Sequence, residues 1–230
     1  MDTNSATDFL PNNGISIPAF EQTITLNTLQ AQRVMERVFE RAAGSLYRID
    51  VILRIIGSEE NAHSVENLIQ EEIMGVSTIL KDAAKQTAAV MEANGVEGTP
   101  LYNCPSTKPV RIVSPHVAQF LSLVRMLDKL VMEIDALWLS GIVDNKNRNE
   151  EVYRWQQKVM GLGSRIIGIE RRARKAAKSQ GKGDEVDAQA PVSEDELADQ
   201  SRASAGKAPS ARKREVAEVS TDKEPAAEMA

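Results

Sequence analysis

The chain has 230 residues, 42% of them hydrophobic but only 4% aromatic, and carries a formal net charge of −5. A single cysteine, Cys104, and two histidines, His63 and His116, exclude an internal disulfide, a cysteine-based zinc site and a histidine metal cluster. No stretch approaches the roughly 18 uninterrupted apolar residues of a membrane span, and Met1-Asp2-Thr3-Asn4 does not open a secretory leader, so a cytoplasmic protein is expected.

Charge is unevenly placed. Residues 181–230 hold 7 basic and 12 acidic side chains, which leaves the first 180 residues balanced. An acidic total does not argue against nucleic acid when the acid sits in a tail. The apolar stock of Ala, Val, Ile, Leu and Met suits helix packing better than a β-sandwich, whose strands favour aromatic and β-branched runs.

In chain order, residues 1–19 are polar, carry Pro11, Gly14 and Pro18, and read as a flexible arm. Gln22–Asn27 alternates as a strand, with Ile24 and Leu26 on one side and Thr23, Thr25 and Asn27 on the other. Asn27 or Thr28 caps a long helix. Its apolar positions Met35, Val38, Ala42, Leu46, Ile49, Ile52 and Ile56 step by three or four, and Gly57-Ser58 ends it. A second helix is expected from a cap at Ser64 to a stop at Asn94-Gly95, with Val65, Leu68, Ile69, Ile73, Val76, Leu80, Ala83, Thr87, Val90 and Met91 on its buried face.

After an irregular loop, Val110–Val113 reads as a second strand, with Val110 and Ile112 on one face and Arg111 and Val113 on the other. Pro109 donates no ladder hydrogen bond, so it belongs at the strand's start or on an unpaired side. Ser114-Pro115 opens a third helix, striped by Val117, Phe120, Leu121, Val124, Leu127, Val131, Ile134 and Trp138. A fourth runs from about Asn149 to Lys178 with Val152, Trp155, Val159, Leu162, Ile166 and Ile169 inward. Its glycines Gly161, Gly163 and Gly168 mark either a close helix contact or a bend. From Gly181 onward the composition lacks periodicity and reads as disorder.

The order strand, cap, long helix, glycine, polar loop, second helix occurs twice, about 85 residues apart, in segments 20–95 and 108–178. Two strands alone make no stable sheet. Paired with each other on four helices, they give the expected fold: mostly α, an internal strand–helix–helix duplication over residues 20–180 with a two-stranded antiparallel ribbon. The arm and a disordered acidic tail, 181–230, flank it.

A two-stranded ribbon fits the DNA major groove, where Arg grips guanine, Asn suits adenine and Thr offers a hydroxyl and a methyl. Thr23, Thr25, Asn27 and Arg111 are therefore the base-reading candidates. The plain alternative is that polar residues of a half-buried strand simply face water. Phosphate candidates are the helix starts at Thr28, Ser64 and Ser114, through their free N–H groups, and Lys108 beside the second strand. The run Arg165, Arg171, Arg172, Arg174, Lys175, Lys178 and Lys182, opposed locally only by Glu170, is another. That run fits equally well a helix C-terminus stabilised by cations.

No Gly-rich phosphate loop, Ser-His-Asp order or zinc pattern appears, so no enzyme, no cofactor and no small-molecule substrate are expected. Cys104 reads as a loop thiol rather than a nucleophile served by His116. Glu71-Glu72, Asp50 and Asp135 read as solvated helix faces rather than a cation chelate.

The stretch Lys108-Pro109-Val110-Arg111-Ile112-Val113-Ser114-Pro115, the Leu-rich helix through Asp128 and the later Gly141-Ile142-Val143-Asp144 resemble the AcaB-like proteins of conjugative plasmids and integrative conjugative elements. The resemblance takes in Thr23-Ile24-Thr25-Leu26-Asn27-Thr28 and so spans residues 20–178. It implies a transcriptional activator of transfer genes that binds double-stranded DNA through an atypical ribbon–helix–helix unit. The competing expectation is a helical scaffold or adaptor of a conjugation apparatus that associates through its apolar stripes. A homo-oligomer is left open in either case, and no membrane partner is expected.

Overall fold

The structure, a computed structural model, describes residues 16–57 and 59–192. Phe20–Leu26 (β1) and Ser106–Ile112 (β2) pair antiparallel as a two-stranded sheet. The period-two pattern sets its faces: Ile24, Leu26 and Val110 are buried, while Glu21, Thr23, Thr25, Thr107 and Pro109 are exposed. β2 starts four residues before Val110, because Ser106-Thr107-Lys108 continues the alternation. Pro109 thus lies mid-strand, opposite Thr23. A proline fits there only with its nitrogen directed away from the partner strand, at a pair that exchanges no hydrogen bonds.

The first long helix is continuous through Leu29–Val34 (α1), a π-helical stretch Met35–Phe39, and Glu40–Ile56 (α2). Then come Glu59–Ala93 (α3), Pro115–Leu139 (α4), Asn145–Ser179 (α5) and the short Gly183–Gln189 (α6). The apolar stripes of the four long helices and the inner face of the ribbon close on one core that includes Leu26, Phe39, Leu46, Ile73, Leu80, Val110, Phe120, Leu127, Val159 and Ile166.

The duplication is written into the core. β1 and β2 are displaced by 86 positions, and so are the caps Thr28 and Ser114. α3 and α5 are 35 residues each, and at the same displacement buried Ile69, Ile73, Val76, Leu80 and Ala83 correspond to Trp155, Val159, Leu162, Ile166 and Ile169. In the first helices, Ala31, Val34 and Met35 match Val117, Phe120 and Leu121 at 86, but Phe39, Ala42, Leu46 and Ile49 match Val124, Leu127, Val131 and Ile134 at 85. The step falls inside the π-helical stretch, which is how a helix absorbs one extra residue without turning its buried face away. Each unit's first helix packs most extensively on the other unit's second, α2 on α5 and α4 on α3. Neither unit therefore buries its apolar stripe alone.

Gly163 marks a close contact, not a bend. A Cβ there would run into Val38 Cγ1 and stand 3.3 Å from Phe120 Cζ, whereas Gly161 and Gly168 meet only the movable guanidinium ends of Arg165 and Arg172.

The helices also depart from the sequence reading at three places. α3 starts at Glu59, and Ser64 lies inside it, its hydroxyl donating to the Glu60 carbonyl at 2.9 Å. α5 starts at Asn145 because Asp144 caps it, Oδ1 accepting the Asn147 N–H at 2.9 Å. Past Gly181 the chain is not structureless: α6 packs Val186 against Ile52 and Ala177. The rest of the expected tail (193–230), most of the arm (1–15) and Ser58 lie outside the described residues. Among the described residues no helix is long and apolar enough to cross a membrane.

Candidate nucleic-acid interface

The ribbon's outer face is a ladder of three cross-strand pairs: Glu21 opposite Arg111, Thr23 opposite Pro109, and Thr25 opposite Thr107. The Thr25 and Thr107 hydroxyls lie 3.0 Å apart. Arg111 Nε donates to Glu21 Oε1 at 3.2 Å, with the two side chains 37% and 73% exposed. A guanidinium, a carboxylate, hydroxyls and methyls are thus set out at strand spacing on a rigid helical base. Thr23, Thr25 and Arg111 share this face. Glu21 and Thr107 belong to it as well, and strand limits drawn at Gln22 and Val110 leave them out, although their parity matches that of Thr23 and Arg111.

Asn27 does not share it. Its Nδ2 donates to Asp128 Oδ2 at 3.2 Å, and its backbone N–H reaches both carboxylate oxygens at 3.1 Å. Thr28 is buried, giving its N–H to Asp128 Oδ1 at 2.8 Å and its hydroxyl to the same oxygen at 2.7 Å. The positive end of the first helix, where a phosphate would bind, already holds a carboxylate. Ser64 is no helix start at all.

Ser114 differs. It caps α4 through an oxygen that accepts the Val117 N–H at 3.4 Å. The residue of the first unit equivalent to Asp128 is Ala43, fully buried, so no acid at that position can answer Ser114. Lys108 has inward parity, and its Nζ lies 3.5 Å from Glu36 along the flank of the first helix. Nearby, burial raises the Glu40 pKa, and Lys108 partly counters this.

The basic run of α5 splits up. Arg165 pairs with Glu72 of α3 at 2.6 Å. Arg174 is nearly buried among Glu170, Asp187 and the Ala190 carbonyl, and Lys178 also reaches Asp187. These three arginine and lysine side chains are structural ties, and Glu72 and Asp187 join Glu170 in opposing the run. Arg171 is half-buried with an unpartnered Nε, while Arg172 and Lys175 are exposed. This end of α5 lies beside Arg48, Ile52 and Ile55. The ribbon lies beside Gln32 and Glu36. From Glu40 to Ile52 alone is about 18 Å of helix rise, so the basic end and the ribbon sit at opposite ends of the first helix.

The two equivalent aspartates are not simple solvated faces. Asp135 is buried, accepting Arg148 Nε and the Tyr102 hydroxyl, each at 2.7 Å. Asp50 has a pKa raised to about 6 by burial first and Glu66 second, against Arg54. Elsewhere, a groove of about 740 Å³ runs between α3 and α5, with Leu68, Gly75, Val76 and Ile79 facing Tyr153 and Gln157.

Two strand–helix–helix units are joined in one chain, their strands paired into a two-stranded antiparallel ribbon. The crystal structure of selenomethionine-containing AcaB from uropathogenic E. coli matches this chain at 47% identity and a TM-score of 0.76, over 80% of this chain and 97% of that one. The chain belongs to the AcaB family. No family model matches it, and no curated protein does.

Proposed function

We propose that the chain is a non-enzymatic DNA-binding regulator that activates conjugative transfer genes and reads the major groove with its ribbon. One observation carries the proposal: polar side chains of both strands stand in register on one solvent-facing surface, backed by a packed core. Arg111 offers its fork to guanine O6 and N7, and the threonines offer methyls to thymine. The pairing with Glu21 keeps the guanidinium extended over the strand rather than folded onto the helices. The N–H groups at the start of α4, next to Ser114, sit where β2 ends and reach the flanking phosphate. Arg172 and Lys175, on α5 beside the far end of the first helix, lie too far from the ribbon to serve that same contact.

The test is recovery and sequencing of DNA bound to the intact chain in cells, followed by salt titration on the recovered duplex. Sequence-specific enrichment and an affinity that falls steeply as salt rises support the proposal. A chain that recovers no sequence above background and keeps its associations at high salt is a scaffold instead. The α3–α5 groove, with Leu68, Ile79 and Tyr153 exposed, favours that second reading.

A further inference from the structure

The two ends of the ribbon's outer face are not copies of each other. The displacement of 86 positions carries Thr23 onto Pro109, Thr25 onto Arg111 and Glu21 onto Thr107. Because Thr23 and Pro109 are also register partners, they lie on the pseudo-twofold axis, and the axis exchanges the other two pairs. A threonine pair is thereby mapped onto an arginine–glutamate pair. In a homodimeric ribbon both ends are identical, and the two-fold symmetry of the protein is mirrored in a palindromic site. Here one covalent chain supplies both strands, and no rotation makes the ends equal.

We infer that the ribbon of a single chain reads an asymmetric duplex element in one fixed orientation; this rests on the DNA-reading role proposed above. The Glu21–Arg111 end takes a G·C pair, with Arg111 on guanine and Glu21 able to accept from cytosine N4. The Thr25–Thr107 end takes thymine: the two hydroxyls engage each other at 3.0 Å, so methyl surface and one remaining hydroxyl proton face outward. At the centre, Pro109 presents an apolar ring and no donor. The flanks follow the same asymmetry, since Asp128 fills the helix start at the threonine end, and Ala43 stands in its place for the arginine end.

The experiment is binding-site selection from randomised duplexes with the full-length chain, together with native mass spectrometry to count chains per duplex. It is repeated with Arg111→Thr, which copies the counterpart Thr25, and with Arg111→Lys, which keeps the charge without the fork. Both side chains of the ion pair are solvent-exposed, and circular dichroism checks that the variants stay helical. The expected element per chain differs from its own reverse complement. Arg111→Thr loses guanine preference about 10- to 100-fold at one end, Arg111→Lys loses only the part that depends on the rigid fork, and both leave the thymine end unchanged. If two chains bind, the element recurs and each copy changes at one end only. An element per chain equal to its own reverse complement, or a loss at both ends in either variant, overturns the inference while leaving DNA reading intact. Enrichment of no sequence at all overturns the DNA-reading role and this inference with it.

Discussion

Asp128, in the middle of α4, closes the N-terminus of the first helix at Thr28: one carboxylate oxygen accepts both the Thr28 amide and its hydroxyl, at 2.8 and 2.7 Å. A residue of the second unit thereby satisfies donors that the first unit's helix leaves open, and the strand exit at Asn27 is pinned with it. Asp128→Ala strands these buried donors and is expected to destabilise the fold by about 3 kcal/mol. Ser114→Ala removes one capping bond and should cost about 1 kcal/mol. Urea unfolding of the two variants measures the difference, and equal losses would contradict this account of the cap.

The equivalent aspartates Asp50 and Asp135 have different environments because Arg148, the partner of Asp135, corresponds to Ala62 in the first unit. Asp50 is left with Glu66 nearby, and its pKa rises from 3.8 to about 6, chiefly through burial. The folded chain therefore holds this proton more tightly than the unfolded chain does. Stability falls as pH rises from about 4 to 6, and the penalty is complete above that window. Asp50→Asn should stabilise the protein by about 2 kcal/mol at pH 7.5, after allowance for partial solvent exposure, and by nothing at pH 3.5. Denaturant titrations at the two pH values check the sign.

Two helical glycines should respond oppositely to alanine. Gly163→Ala pushes a methyl into Val38 and Phe120 and should cost about 1–3 kcal/mol through overpacking. At Gly75 of α3 the added methyl meets nothing within 4 Å, so Gly75→Ala should stabilise by about 0.5–1 kcal/mol. Paired thermal melts decide this, and a harmless Gly163→Ala would mean that the α5 crossing is looser than the contact implies.

Arg174 is a tie rather than a phosphate contact, because its guanidinium holds Glu170, Asp187 and the Ala190 carbonyl together. Arg174→Ala should release α6, seen as faster hydrogen exchange at the amides of residues 183–190. Unchanged protection there would show that Val186 docks without it.

The repeated units, the ribbon and its inner face were legible in the sequence because alternation and helical stripes report burial directly, as Ile24, Val110, Ile49 and Ile134 do. What stayed hidden depends on groups distant in the chain. Asn27 has the parity of a reading residue, and only Asp128, about a hundred positions away, turns it inward. Ser64 carries a capping signature, but its hydroxyl bonds back one turn instead, while Asp144, an equally good capping residue, is the one that caps its helix. The extra residue absorbed between Met35 and Phe39 hides the exact spacing of the repeat, which is 86 before the π-helical stretch, 85 in the rest of the first helices and 86 again in the second helices. α6 has a disordered composition and is ordered by one apolar side chain and an arginine from α5.

The most direct measurement is the equilibrium affinity of Arg111→Ala, beside Arg172→Ala/Lys175→Ala, for the duplex recovered with the wild-type chain. The ribbon variant is expected to bind about tenfold or more weakly at constant salt, and the α5 double variant to bind as the wild type does. Wild-type affinity in Arg111→Ala, with the loss confined to the α5 variant, would move the interface to the opposite end of the molecule.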